Sequence, residues 1–204
     1  MKRSAVLIAF FSFGLTLSVQ AQPYSIPPTF SMPQAYKQPA LKGGPVATVK
    51  EGMNKLTAFL SKNRGAPKPM KEFLANEVVS YFDFNTMARM AAGPMLRRMG
   101  GQNQAKYVEM VKQDFLTVLA QRLTGFSNQK AKVVGAKPGS NSRAVVSIAI
   151  GNPRSYPTRL DFRMRKTKQG WKIYDVVANG SSAVMYYRRM LVQSMRPGAK
   201  RRLF

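Results

Sequence analysis

Hydrophobic positions recur at helical spacing through the first half of this sequence, from residue 46 to residue 125. Apolar side chains return every three or four positions there, which places them on one face of a helix. Glycine and proline residues interrupt the pattern and mark where each helix ends. The pattern predicts helices from residue 46 to the break at Gly65, over residues 69–81, from a cap at Asp83 or Asn85 to about Ala92, and over residues 103–125.

After residue 130 the pattern changes to alternation of apolar and polar positions, which is typical of strands with one buried face. The segment over residues 156–164 carries Arg159, Asp161 and Arg163 between its apolar positions, so we expect a basic outer face there. Alternation and turn residues predict strands over residues 130–137, 143–150, 156–164 and 171–177, with a hairpin turn at residues 168–170.

A closing helix is predicted over residues 182–195, and the Pro197-Gly198 pair ends it. The predicted order is helices first, then a meander of strands, and then one final helix. This order is typical of an α+β fold. We therefore expect N-terminal helices packed on a curved antiparallel sheet, with the C-terminal helix closing the domain.

The first 21 residues have the three parts of a cleavable secretory signal peptide. Lys2 and Arg3 form a positive start, and an apolar run follows from Ala5 to Val19. This run is shorter than the roughly 20 apolar residues that span a bilayer comfortably. We expect cleavage near Ala21 and a soluble protein that works outside the cytoplasm.

Proline and glycine divide the rest of the chain into an arm, a domain and a tail. Residues 22–45 contain recurring prolines and no apolar period, which predicts a flexible Pro-rich arm. We expect one folded domain over residues 46–197 and a basic tail over residues 198–204.

Basic residues outnumber acidic ones by 33 to 8, and the formal charge of +25 falls to about +23 once Lys2 and Arg3 are removed. Such an excess attracts anionic partners, including lipid headgroups, lipopolysaccharide and nucleic acid. Export makes nucleic acid the poorest of these, so we expect no nucleic-acid partner. The chain has no Cys to form disulfides and no His, which is the commonest general base and metal ligand.

Catalytic motifs are missing from the sequence, and we expect neither catalytic residues nor a metal site. It contains no nucleophile elbow, no phosphate-binding glycine loop and no cluster of metal ligands. Asp83 and Asp175 are the two carboxylates in apolar surroundings, where a carboxylate can serve as an acid or base. We favour structural roles instead, with Asp83 capping a helix and Asp175 bound to an Arg or a backbone N–H.

Several stretches taken together resemble one protein family. Tyr81-Phe82-Asp83-Phe84, followed by Met87-Ala88, is similar to that family's YFDF…MA segment, and residues 170–176 (GWKIYDV) are similar to its GWKVYDV strand. Gly180, Ser182, Val184, Tyr187 and Arg188 match the entry to its closing helix. By the order and spacing of these motifs, the chain resembles the MlaC or toluene-tolerance family of periplasmic phospholipid-binding proteins.

The resemblance implies a periplasmic phospholipid carrier of the Mla pathway, which maintains the lipid asymmetry of the outer membrane. Family members exchange lipid with an outer-membrane lipoprotein–porin complex and with an inner-membrane ABC transporter that has its own substrate-binding subunit. The resemblance also implies an apolar cavity between sheet and helices, with phospholipid as cargo, no cofactor and no enzymatic activity. We expect the carrier to be a monomer.

A cavity of this kind would be lined by side chains that the pattern directs inward, and flexible Met residues suit its irregular walls. Arg188 is the candidate for a cation near the mouth, or alternatively for an ion pair with Asp83 or Asp175. The predicted lipid-binding residues are Phe73, Phe82, Met87, Met90, Leu96, Phe115, Leu119, Leu123, Val146, Ile148, Leu160, Phe162, Trp171, Ile173, Tyr187, Arg188 and Leu191.

Two other functions stay open at this point. The charge alone also fits a binding protein for an anionic envelope polymer such as lipopolysaccharide. An enzyme that uses Asp83 or Asp175 as its base is the least favoured, because the chain has no His.

Overall fold

The computed structural model describes residues 44–63, 67–123, 130–151 and 156–195 of the chain. The predicted signal peptide, nearly all of the arm and the basic tail lie outside these residues. The helices are α1 (Pro45–Asn63), α2 (Pro67–Phe73), α3 (Phe84–Ala92), α4 (Pro94–Arg98), α5 (Gly101–Leu123) and α6 (Ala183–Ser194). The strands are β1 (Lys130–Pro138), β2 (Arg143–Gly151), β3 (Thr158–Thr167), β4 (Gly170–Ala178) and β5 (Ser181–Ser182).

The helix predicted over residues 69–81 is three different helical segments in the structure. α2 ends at Phe73, a π-helical turn follows over Leu74–Val78, and a 3₁₀ turn over Val79–Tyr81 leads to α3. The β-branched pair Val78–Val79 lies where the turn type changes, and such side chains fit poorly inside an α-helix. The prediction of one continuous helix was therefore wrong.

Gly93 and Pro94 end α3 as predicted, but they also begin α4, which the pattern did not predict. Gly93 has a φ of 57°, a backbone conformation that favours glycine, and it redirects the chain there. Pro94 then occupies the first turn of α4, where its missing N–H leaves no hydrogen bond unmade.

The strands form one antiparallel sheet in the order β1-β2-β3-β4-β5, which confirms the α+β class. The four longer strands were predicted, whereas β5 was not, because two residues carry no alternation to detect. A bulge between β3 and β4 leaves Tyr174 unpaired between Ile173 and Asp175.

The two faces of the sheet differ in chemistry, because neighbouring strands place cross-strand partners on the same face. On the first face, the cross-strand neighbours in β2, β3 and β4 are Val146, Phe162 and Val176. Helix α1 packs against this face through Val49. Arg143, Arg165 and Lys172 follow one another on the opposite face. We call these the apolar face and the basic face of the sheet.

Two apolar clusters make up the core, and they meet at Phe82. The helical cluster joins α2, α3, α5 and α6, whereas the sheet cluster joins the apolar face to α1. Phe82 packs against both clusters, and its backbone forms an isolated parallel β-bridge with Ile173 of β4.

Candidate functional site

Asp83 anchors the start of α3 to the sheet. Its backbone N–H donates to the carbonyl oxygen of Ile173 over 2.8 Å. Its carboxylate accepts from the backbone N–H of Thr86 at 2.8 Å and from the Thr86 hydroxyl at 2.7 Å. This is an N-cap, so the prediction of a structural role for Asp83 is confirmed, and Asp83 rather than Asn85 is the cap.

Asp175 is 1% exposed and has three hydrogen-bond partners. Its carboxylate accepts from Arg163 at 3.0 Å, from the Ser182 hydroxyl at 2.8 Å and from the backbone N–H of Val184 at 3.1 Å. It therefore fixes the start of α6 against β4, which confirms the predicted pairing with an Arg and a backbone N–H.

An open pocket of about 770 Å³ lies between the start of α3, the side of α5 and the β3–β4 hairpin. We call it the first pocket. It contains apolar side chains from the segment around Asp83 together with polar side chains from α5 and the hairpin. Its lining residues are Val79, Ser80, Phe82, Asp83, Phe84, Asn85, Val108, Glu109, Lys112, Arg165, Thr167, Lys168, Gln169 and Lys172.

Three phenylalanine rings connect the first pocket to the core. Phe82 and Phe84 line the pocket and stack with their centroids 5.5 Å apart. Phe115 packs against both rings, at 4.9 Å from Phe82 and 5.7 Å from Phe84. Because Phe82 also belongs to both apolar clusters, the pocket opens at the place where those clusters meet.

The polar side of the first pocket has more positive than negative charge. Glu109 pairs with Lys112 at 2.8 Å, and Asp83 lies 3.5 Å from Arg165. Hydrogen bonds from Gln113 and then from Lys112 lower the pKa of Glu109, which keeps this carboxylate ionised.

Two further lysines, Lys168 and Lys172, belong to the polar side of the first pocket. Lys172 donates from its ammonium group to the carbonyl oxygen of Ser80. In the part of the chain that the structure describes, no carboxylate lies within 4 Å of Lys168 or Lys172. The apolar opening of the pocket therefore has an unneutralised cationic border.

Arg188 makes neither of the ion pairs that were offered as alternatives. Its guanidinium group donates to the carbonyl oxygens of Met90 at 2.7 Å and Ala91 at 3.3 Å, at the end of α3. Asp83 and Asp175 have other arginine partners. Cations bind well at the C-terminal end of a helix, where carbonyl groups lack partners within the helix.

The neighbouring Tyr187 is buried in the helical cluster and donates from its hydroxyl to Asp114 over 3.1 Å. Burial, together with the nearby Asp114 carboxylate, raises the pKa of Tyr187. The hydroxyl of buried Tyr107 has no hydrogen-bond partner among the described residues, and burial raises the pKa of Tyr107 to about 12.

The predicted lipid-binding residues are divided between the two clusters rather than gathered around one opening. Phe82 is the member of the set that lines the first pocket. Met90, which is 36% exposed, and Arg188 lie outside both clusters. The helical cluster contains Phe73, Phe82, Met87, Leu96, Phe115, Leu119, Leu123, Tyr187 and Leu191. The sheet cluster contains Phe82, Val146, Ile148, Leu160, Phe162, Trp171 and Ile173.

Sequence reasoning missed the polar part of the first pocket. The cations of this part come from α5, β3 and the hairpin, and no short sequence motif links them. They are Lys112, Arg165, Lys168 and Lys172. The available signal was the Lys168-Gln169-Gly170 turn, which indicated a hairpin tip but not what the tip would face.

None of the described helices is long and apolar enough to cross a membrane.

The MlaC protein family has a sequence profile that matches residues 47–200 of the chain. The chain is 27% identical over 135 residues to the intermembrane phospholipid transport system binding protein MlaC of Haemophilus influenzae. That alignment covers 62% of this chain and 61% of the relative, so the chain spans about three fifths of the relative's length.

The fold is also similar to a solved structure, the phospholipid-binding protein from Ralstonia solanacearum in complex with a phospholipid. The TM-score is 0.65 at 22% sequence identity, and the match covers 72% of this chain and 84% of that chain. At this identity the likeness demonstrates a shared fold. The profile match confirms the resemblance carried by the YFDF and GWKIYDV motifs, and the chain belongs to the MlaC family.

Proposed function

We propose that this chain carries phospholipid through the periplasm between complexes of the outer and inner membranes. The observation that carries this proposal is the first pocket, where Phe82 and Phe84 open onto the junction of the two apolar clusters. Two names support it: the Haemophilus influenzae relative is the binding protein of an intermembrane phospholipid transport system, and the Ralstonia solanacearum protein is a phospholipid-binding protein.

The physical requirement on such a carrier is to keep acyl chains out of water. Each exposed CH₂ group costs about 0.8 kcal/mol, so two chains of about sixteen carbons cost on the order of 25 kcal/mol. The first pocket is too open to exclude water from both chains by itself. We therefore place the chains in an apolar cavity between the two clusters, entered beside Phe82, with the predicted lining residues on either side of it.

Charge at the border of the first pocket supports a place for the headgroup there. Lys168 and Lys172 flank the apolar opening, and neither has a carboxylate partner among the described residues. A phosphodiester near these ammonium groups would remain close to water while the chains lie deeper. This arrangement binds the lipid as cargo, with no cofactor and no chemical step.

The proposed partners are an outer-membrane lipoprotein–porin complex and an inner-membrane ABC transporter with its substrate-binding subunit. Membership of the family supports both partners and a monomeric carrier. The positive start and apolar run of the first 21 residues support export by a signal peptide that is cleaved near Ala21. The name of the Haemophilus influenzae relative, an intermembrane transport protein, supports the exchange of lipid between two membranes.

Mass spectrometry of lipid extracted from the purified protein tests the proposal, together with uptake of phospholipid from phosphatidylglycerol–phosphatidylethanolamine vesicles. We expect co-purified phospholipid in the unmodified protein. Val108→Trp narrows the first pocket and should lower uptake at least about tenfold, which corresponds to about 1.4 kcal/mol.

Val118→Trp is the matched control, because Val118 lies on the same helix but is 41% exposed and outside the pocket. It should take up lipid at the unmodified rate. Absence of lipid from the protein, with no uptake from vesicles, would overturn the proposal. Equally tight binding of a deacylated headgroup and of intact lipid would favour a binding protein for an anionic envelope polymer.

A further inference from the structure

A second, smaller pocket lies beside the first one and is bordered by cations. Its volume is about 340 Å³, and it lies between α3, the tip of the β1–β2 hairpin and the end of β3. Its lining includes four cationic side chains, those of Arg89, Arg143, Arg165 and Lys166. The other lining residues are Asn141, the predicted lipid-binding residue Met90, and the buried Thr86 and Tyr174. Arg165 belongs to both pockets.

The chain has too few acidic side chains near these four cations to neutralise them all. All eight of its Asp and Glu residues lie within the described residues. Of these, Asp83 alone comes within 4 Å of a cation of the second pocket, at 3.5 Å from Arg165. The pocket therefore has a formal excess of three positive charges when Asp83 is counted with it.

The sheet register brings two of these cations together. Arg143 on β2 is the direct cross-strand partner of Arg165 on β3. Like charges in directly opposed positions destabilise a sheet. An anion between the two guanidinium groups would convert this repulsion into two attractive contacts.

The Thr86 hydroxyl holds two guanidinium groups in place before any ligand arrives. It accepts from Arg165 at 2.7 Å and from Arg89 at 3.0 Å, and it donates to Asp83 at 2.7 Å. Thr86 is itself buried and is fixed by the N-cap of α3. Two arginines are thus positioned, while Arg143 and Lys166 make no ion pair with any described residue.

We propose that the second pocket is a binding site for a phosphate group. Planar guanidinium groups bind the oxygens of a phosphate in pairs, and an excess of three charges favours a dianion over a carboxylate. The volume is in the lower part of the range for small-ligand pockets, which leaves room for a small ester substituent. The site goes beyond lipid carriage, because it needs no acyl chain.

Isothermal titration calorimetry of the full-length protein at an ionic strength of about 0.15 M tests this site with two probes, inorganic phosphate and sn-glycerol 3-phosphate. We expect saturable binding of one molecule per chain, with changes in the amide NMR signals of Thr86 and Tyr174. The double variant Arg143→Gln/Lys166→Gln should bind each probe at least about tenfold more weakly, because charge-assisted hydrogen bonds are lost.

The matched control is Lys132→Gln/Arg189→Gln, which removes the same charge from exposed positions outside the pocket. It should change affinity less than about twofold, since distant exposed charges are screened. Tighter binding of the ester would identify a lipid headgroup as the natural source of the phosphate, and equal affinities would identify free phosphate.

The absence of saturable binding in the unmodified protein would overturn the site. So would an equal loss of affinity in the control variant, because binding would then depend on total charge. A protein that binds phosphate but takes up no lipid would contradict the proposed carrier function and leave this site standing.

Discussion

Alternate residues of the same strands form the two faces of the β-sheet, and the two faces differ in chemistry: one is apolar and the other is basic. Along β3, Phe162 and Met164 point to the sheet cluster beneath α1, whereas Arg163 and Arg165 point to the basic face. The apolar face is stabilised by removal of surface from water. The basic face depends on a few well-placed carboxylates, because the chain has so few of them.

This difference shows why the two faces tolerate change differently. Removing atoms from the apolar face leaves an unfilled volume in a close-packed core. On the basic face most side chains reach water, so a substitution has a large effect on stability where a buried carboxylate such as Asp175 satisfies several donors at once.

The largest effect is expected from Met164→Ala on the apolar face. Met164 is fully buried, and truncation should lower the free energy of unfolding by about 3 kcal/mol through lost burial and a cavity. Chemical denaturation measures this. Arg159→Ala on the same strand, where the side chain is exposed, should cost under about 1 kcal/mol. Equal losses from the two variants would contradict the distinction between the faces.

Asp175→Asn should have the next largest effect, about 2 kcal/mol. The amide cannot satisfy Arg163, Ser182 and the Val184 N–H together, and charge-assisted hydrogen bonds are lost. Asp161→Asn is the comparison on the same face, with a more exposed carboxylate that pairs with Arg159. If urea denaturation gave the same midpoint for both variants, the role of Asp175 in fixing α6 would be wrong.

A smaller effect of opposite sign is expected from Lys132→Gln/Lys137→Gln. Both lysines are exposed on β1 and alternate with the residues of the apolar face. Their removal should raise the free energy of unfolding by a few tenths of a kcal/mol at low salt, through reduced repulsion. The gain should disappear at about 1 M salt, where charges are screened. A gain that persisted there would have another cause.

The smallest effect concerns acid stability and Asp161. Burial by itself raises the pKa of this carboxyl, but hydrogen bonds from Ser147 and Arg159 together outweigh burial and leave the pKa below its usual value. The resulting stabilisation is present above the unfolded pKa of about 3.9 and is lost as the pH falls through the lower folded value. The melting temperature of Asp161→Asn should fall less steeply with decreasing pH, in the acid range, than that of the unmodified protein. An equally steep fall in both proteins would contradict this.

Local signals predicted most of the fold. Alternation indicated the four long strands, and Asp83 and Ser182 lie at helix starts where their side chains accept backbone N–H groups. The π-helical turn, α4 and β5 were missed, because each is five residues or fewer and too short for a periodic signal.

The candidate site was less predictable than the fold. Periodicity identified apolar side chains that point inward, but it could not distinguish those that fill a core from those that border an opening. Phe82 was predicted as an inward-facing residue within a recognisable motif, and it lines the first pocket. Lys112 and Lys172 were missed, since only the packing of α5 near the hairpin brings them together.

The sequence by itself determined the family, the α+β class and the excess of positive charge, because each depends on residue order or composition alone. Tertiary structure decided which carboxylate meets which arginine, and so where positive charge is left without a partner. Arg143 and Arg165 are 22 residues apart in the chain but directly opposed in the sheet. Strand register creates that contact, and register depends on how the whole sheet packs against its helices.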